Sequence, residues 1–261
     1  MDRTKKALLN ALFLVVTLGV NTLGALGFIN GLSQKAISDM YVTLITPGPS
    51  TFSIWGIIYT LLIISIIAMI IKKNDPYYQN VIDRISPLFW ISCLLNMAWI
   101  VSFSYVLLEI SLIFILLFVI MLALICRQLL QIQERNVLLP LTFGLYTGWL
   151  FIASVVNTAA VLVKLNWNGF GISFEILAII TLVISVILIF LVNTKLKNAV
   201  FPLPVAWAFF GIREFLASPN GFNGEYGLLQ IVALVGMAVL VGIAAIQLYI
   251  NRFSLIPNPT D

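Results

Sequence analysis

The chain contains no histidine, two cysteines and few charges. Of its 261 residues, 9% are Asp, Glu, Lys or Arg, against about 25% in a soluble globular domain. That is too little polar side chain to cover a water-facing surface. With 61% hydrophobic residues and a mean hydropathy of +1.10, the sequence reads as an integral membrane protein. The lack of histidine excludes a Ser-His-Asp triad, a histidine-based zinc site and a histidine-ligated haem. Cys93 and Cys126 lie inside apolar runs, which argues against a disulfide framework or a cysteine-only metal site. No metal or cofactor is expected. The pI near 9.1 is not a nucleic-acid signature, because the basic residues stand singly or in pairs between apolar stretches.

A membrane-crossing helix needs about 20 mostly apolar residues. Eight stretches meet or approach that length: residues 8–28, 52–71, 87–107, 110–130, 138–163, 174–193, 199–216 and 228–250. The seventh is the weakest, since it holds Pro202, Pro204 and the pair Arg213 and Glu214. The third and fourth, separated only by Leu108 and Glu109, read as two spans joined by a tight turn. Arg3, Lys5 and Lys6 before the first stretch resemble a secretory signal. Its apolar run, however, exceeds the roughly 7–15 residues of a signal core, and no small-residue cleavage site follows, so it is expected to remain as a helix.

Lys and Arg concentrate in cytoplasmic loops. With the N-terminus inside, Arg3, Lys5, Lys6, Lys72, Lys73, Arg84, Arg127, Arg135, Lys195, Lys197 and Arg252 fall on the cytoplasmic side. Only Lys35, Lys164 and Arg213 fall outside. The expectation is an all-α polytopic membrane bundle of about eight helices with both termini cytoplasmic. The longest outer loop, residues 29–51, ends in Thr46-Pro-Gly-Pro-Ser-Thr51. Residues 164–172 and 217–227 are Asn/Gly-rich turns.

Charge is missing from the spans as well. Ion-coupled transporters bury ionisable groups at mid-bilayer, where their cost marks a pathway. No span here carries one at its centre: Glu109 lies at a junction, Glu175 at a helix start, and Arg213 and Glu214 near the outer end of the seventh span. A long side chain there can snorkel to the interface. With no histidine, no central acid and no nucleophile–base pair, an enzyme is not expected.

What the spans do carry is uncharged and aromatic. Residues three or four apart share a helix face. Phe52, Trp55 and Tyr59 do so in the second span, Asn96, Trp99 and Phe103 in the third, and Tyr146, Trp149, Ala153 and Asn157 in the fifth. A carboxamide facing lipid lacks hydrogen-bond partners, so Asn96 and Asn157 are expected to point into the bundle. Two readings compete. The stripes are helix–helix glue, with Asn bonds and a small Ala153 allowing close approach. Alternatively they wall an apolar cavity with a few polar groups, suited to a flat or sterol-like ligand. Trp90, Trp167 and Trp207 lie off these faces and read as packing or interfacial residues.

The order Pro47-Gly-Pro49, Phe52, Trp55-x-x-x-Tyr59, then Leu95-Asn96-x-x-Trp99, then Tyr146-x-x-Trp149-x-x-x-Ala153-x-x-x-Asn157 resembles the TspO/MBR family, tryptophan-rich sensory proteins related to the mitochondrial translocator protein. The matching elements fall on spans two, three and five in the family's order, within about residues 8–163. The resemblance implies a five-helix bundle whose ligand cavity opens toward the loop between the first two helices. It implies binding of porphyrins or sterol-like and drug-like hydrophobic molecules, a part in stress or tetrapyrrole regulation, and a homodimer. Trp55, Asn96, Trp99 and Trp149 take the positions of family cavity residues, and Pro47 and Pro49 those of its proline-bearing lid. The chain departs from the pattern at Ser50-Thr51-Phe52, where a tryptophan usually precedes the phenylalanine. It departs again at Val161-Leu-Val163-Lys164, which lacks the tyrosine of the cholesterol pattern.

The expectation is thus a five-helix ligand-binding core over residues 1–165 and an additional three-helix membrane region over residues 166–261. Phe52, Trp55, Tyr59, Asn96, Trp99, Tyr146, Trp149, Ala153 and Asn157 would form the site, under a lid carrying Pro47 and Pro49. The function implied is a non-enzymatic receptor or sensor for a hydrophobic planar ligand in a bacterial cytoplasmic membrane. The alternative is a permease for a small neutral or amphipathic solute, for which the proline-bearing seventh span speaks.

Overall fold

The computed structural model describes residues 1–134 and 136–257; Arg135, counted above on the cytoplasmic side, lies outside the described residues. Among the described residues there are nine α-helices and no strand. They are α1 (Arg3–Ala25), α2 (Gln34–Met40), α3 (Ile54–Ile71), α4 (Pro76–Ser104), α5 (Leu108–Leu130), α6 (Leu138–Lys164), α7 (Phe174–Leu196), α8 (Leu203–Ala217) and α9 (Gly227–Ile250). Short 3-10 turns lie at Pro49–Ser53 and Gly169–Gly171. Seven helices, all except α2 and α8, are long and apolar enough to cross a membrane.

Helix starts follow local chemistry. Ser33, Asp75 and Ser173 each accept a backbone N–H from the first turn of α2, α4 and α7, the usual use of a short polar side chain at that place. The Asp75 cap, with Pro76 in the first turn, starts α4 well before Pro87, which was expected to open the third span and instead lies inside the helix. At 29 residues α4 is about 44 Å long at 1.5 Å per residue, more than the roughly 30 Å of bilayer hydrocarbon. Its first turns carry Asp83, which pairs with Arg3 at 2.7 Å and Lys6 at 2.6 Å. The reversal into α5 uses residues 105–107 rather than Leu108 and Glu109. Val106 takes a φ of 59° there, and Lys164 Nζ donates to its carbonyl at 2.9 Å while pairing with Glu109 at 2.6 Å.

The seventh span differs most from expectation. Residues 199–202 are not helical; α8 begins at Leu203, with Pro202 as its cap and Pro204 in its first turn. Proline lacks the N–H that a helix interior needs, but not the one its first turn leaves free. The 15 residues of α8 reach only about 22 Å. The segment before it lies buried against α6. A Cβ on Gly148 would sit 2.1 Å from the Phe201 carbonyl oxygen, and one on Gly144 2.7 Å from the Asn198 carboxamide. Irregular backbone at membrane depth must be bonded within the protein, and it is. Asn198 Nδ2 donates to the Pro140 carbonyl at 2.9 Å, Val200 N–H to Asn198 Oδ1 at 3.0 Å, and Asn251 Nδ2 to the Lys197 carbonyl at 2.9 Å.

α4 packs between α1 and α5, α5 on α6, α6 on α8, and α9 on both α7 and α8. One cluster of buried apolar side chains draws on α1 and on every helix from α3 to α9. The hydrophobic core is therefore continuous across residue 165.

Candidate ligand-binding site

Trp55, the second residue of α3, is the hub of the aromatic residues. Its ring lies 5.0 Å from Tyr59, 6.4 Å from Trp99 of α4 in a near-parallel arrangement, and 6.1 Å from both Tyr146 and Trp149 of α6 in edge contacts. Phe52 meets Trp149 edge-on at 6.0 Å, and Phe118 of α5 closes the far side of Tyr146 at 5.4 Å. Offset and edge geometries of this kind are those that ring quadrupoles favour. The three stripes thus converge. Tyr146 and Trp149 are buried, Trp55, Tyr59 and Trp99 are half-buried, and Phe52 is 43% exposed at the rim.

A chain of hydrogen bonds runs beside the rings. The Tyr59 hydroxyl donates to Asn21 Oδ1, Asn21 Nδ2 to Asn96 Oδ1, and Asn96 Nδ2 to the Tyr146 hydroxyl oxygen, each at 2.9 Å. Four helices are linked through four side chains in a setting where each group would otherwise be orphaned. Among the described residues, the indole N–H groups of Trp99 and Trp149 are buried without a partner.

The lid loop is fastened from an unexpected direction. Pro47 is buried and Pro49 exposed. Gly48 N–H donates to the Gly211 carbonyl of α8 at 2.9 Å, and Trp207 Nε1 to the Thr51 carbonyl, also at 2.9 Å. Gly211 is needed at this contact, because a Cβ there would stand 1.9 Å from Thr51 Oγ1.

This arrangement can be compared with known proteins. The chain matches the family described as TSPO-like protein over residues 7–246. The chain belongs to that family. The match runs past α6 through α7 and α8 into α9. No curated protein and no solved structure gives a significant match.

Within this TSPO-like bundle, seven of the nine expected site residues are brought together: Phe52, Trp55, Tyr59, Asn96, Trp99, Tyr146 and Trp149. Asn157 turns instead toward α5, its Nδ2 donating to Ser111 Oγ at 3.2 Å, and its buried Oδ1 has no partner among the described residues. Ala153, on the same stripe, is half-buried against the core. Phe103 packs with Ile37, Leu108 and Val161 in a separate small cluster. A cavity of 620 Å³ lies elsewhere, lined by none of the nine residues.

Two site elements lie outside the stripes. Asn21 comes from α1, and its signal is Asn10 eleven residues earlier, three turns back on the same face. Asn10 in turn accepts from Trp90 Nε1 at 2.7 Å and donates to Ser86. Trp207 gives no local sign of its role, since its partner Thr51 is 156 residues away.

Proposed function

We propose that this TSPO-like protein is a membrane receptor or sensor, without enzymatic chemistry, that takes a hydrophobic planar ligand of the porphyrin or sterol-like kind among α1, α3, α4 and α6. The observation that carries this is the pair of buried, unpartnered indole N–H groups of Trp99 and Trp149 beside a wall of rings. An unmade buried donor costs about 1–3 kcal/mol. A ligand that offers acceptor atoms at its edge and a flat π-face recovers that cost and stacks as well. It would enter past Phe52, replacing ring–ring contacts with ring–ligand contacts. The reading includes a bacterial cytoplasmic membrane as the setting and, from the family resemblance, a homodimer.

The test is a titration of detergent-solubilised protein with protoporphyrin IX, following tryptophan fluorescence. Saturable quenching is expected at micromolar ligand. Trp149→Phe, which keeps a ring but removes the N–H, should weaken affinity roughly five- to tenfold, about 1–1.4 kcal/mol. Unchanged affinity in Trp55→Ala, Asn96→Ala and Trp149→Ala alike would sink the assignment.

A second reading rests on the non-helical segment 198–202, since interrupted helices often line transport sites. On that reading the chain is a permease for a small neutral or amphipathic solute. Solute flux into proteoliposomes that is lost in Pro202→Ala or Pro204→Ala would favour it. The segment's polar groups are bonded within the protein, so the receptor reading stands first.

A further inference from the structure

The 620 Å³ cavity is formed where α6 and α7 part. Ala159 and Leu162 in the last turns of α6, Leu177 and Ala178 in the first turns of α7, and Leu44 from the lid loop wall it. Asn166, Asn168 and Tyr226 stand at its loop end. Its size falls in the range of about 300–1,000 Å³ typical of small-ligand sites, and it shares no lining residue with the aromatic cluster.

Three observations define what fits. First, none of the described lining residues is charged. The nearby Lys164 and Glu109 neutralise each other at 2.6 Å, so nothing selects an ionic head. Second, the two helices touch only sparsely, and the flanking Val163, Phe174 and Ile176 are exposed apolar side chains on membrane-crossing helices. The cavity therefore borders the lipid-facing surface along α6 and α7, with the exposed Asn166 and Asn168 at its loop end. Third, Leu44, Ile45, Ala159, Leu162, Leu177 and Ala178 give it a largely aliphatic wall, which the rings of Trp167, Phe174 and Phe222 complete, whereas carboxamides and a phenol stand toward the loop end. That polarity matches an alkyl chain ending in hydroxyl or ester groups, which those side chains can bond.

We infer that this cavity is a second binding site, separate from the aromatic cluster, for an uncharged acyl-chain lipid with a hydroxyl or ester head. A monoacylglycerol is the simplest example. The site lies between α6 and the C-terminal helices, with its head group among Asn166, Asn168 and Tyr226.

The experiment uses the full chain in phosphatidylcholine nanodiscs doped with a monoacylglycerol whose chain carries a diazirine, followed by photolysis and peptide mapping. Adducts should concentrate between residues 159 and 181. Unlabelled monoacylglycerol should remove them, and the fatty acid carboxylate of equal chain length should not. Ala159→Phe, which fills the cavity, should cut labelling at least fivefold. Asn166→Gly keeps the positive φ of 52° that Asn166 adopts, a conformation glycine takes freely, and so tests the head group without threatening the fold; at least a twofold loss is expected. Labelling spread evenly over lipid-facing positions such as Val15 and Ile187, or unchanged in both variants, would overturn the site. Equal competition by the carboxylate would overturn the neutral head group. Displacement of the label by protoporphyrin IX would show one site instead of two.

Discussion

Asn96 is fully buried and holds both neighbours in the polar chain, Asn21 on one side and Tyr146 on the other. Asn96→Ala leaves two buried groups short of a bond and is expected to destabilise the protein by roughly 1–3 kcal/mol. Tyr59→Phe removes only the terminal donor, for about 0.5–1.5 kcal/mol, and intramembrane bonds tend toward the lower end of such ranges. Reversible unfolding of both variants in mixed micelles checks the order; an Asn96→Ala cost no larger than that of Tyr59→Phe would mean that the chain has no centre. Asn96 is legible in the sequence because a carboxamide inside an apolar helix needs a partner. Which partner it finds is not legible, because Asn21, Asn96 and Tyr146 are 75 and 50 residues apart and periodicity describes one helix at a time. Asn157 shows the same limit: its spacing puts it on the stripe of Trp149, yet it bonds to Ser111 on α5.

The element that most repays attention is α8. Its two bonds to residues 48 and 51, together with Gly211, make it the latch of the lid loop. Gly211→Val would force Thr51 away, and Trp207→Phe would release its carbonyl. Both are expected to raise amide exchange across residues 47–53 by an order of magnitude or more, about 1.4 kcal/mol of local opening, with α4 and α5 unaffected. Equal exchange in wild type and both variants would show that the lid is held by other contacts. Gly144 and Gly148 do for α6 what Gly211 does for α8: they leave room for a neighbouring segment, the Asn198 and Val200 side chains at Gly144 and the Phe201 carbonyl at Gly148. Pro202 and Pro204 already mark the seventh span as irregular in the sequence. They do not show that the irregular part is sunk against α6, because that depends on what α6 omits at those two glycines.

For the whole molecule, Arg3, Lys6 and Asp83 meet at one end of the bundle, near the turns that Lys73 and Glu134 border. The lid loop, the α8–α9 turn and the Lys164–Glu109 pair lie at the other. The excess of basic residues predicts that the first end faces the cytoplasm. Cys93 and Cys126 are buried, so single cysteines introduced at the exposed positions Asp2 and Asn220 should react selectively. In intact bacteria a membrane-impermeant maleimide is expected to label Asn220→Cys and spare Asp2→Cys. The reverse pattern would invert the topology. One cluster of buried apolar side chains runs through α1 and α3 to α9.

Composition and run length by themselves determined that this is a helical membrane bundle, since a chain with 9% charge and repeated apolar runs of bilayer length has no stable water-facing surface. Period and motif order also determined the three aromatic stripes, because the faces of a helix are set by 3.6 residues per turn. Only the tertiary structure decided that the stripes meet at Trp55, that α1 supplies Asn21, that α8 latches the lid and that a cavity opens between α6 and α7. Each of these joins residues far apart in the chain. In the membrane such contacts depend on where small residues let helices approach and where buried polar groups find partners, and neither is written in any single helix.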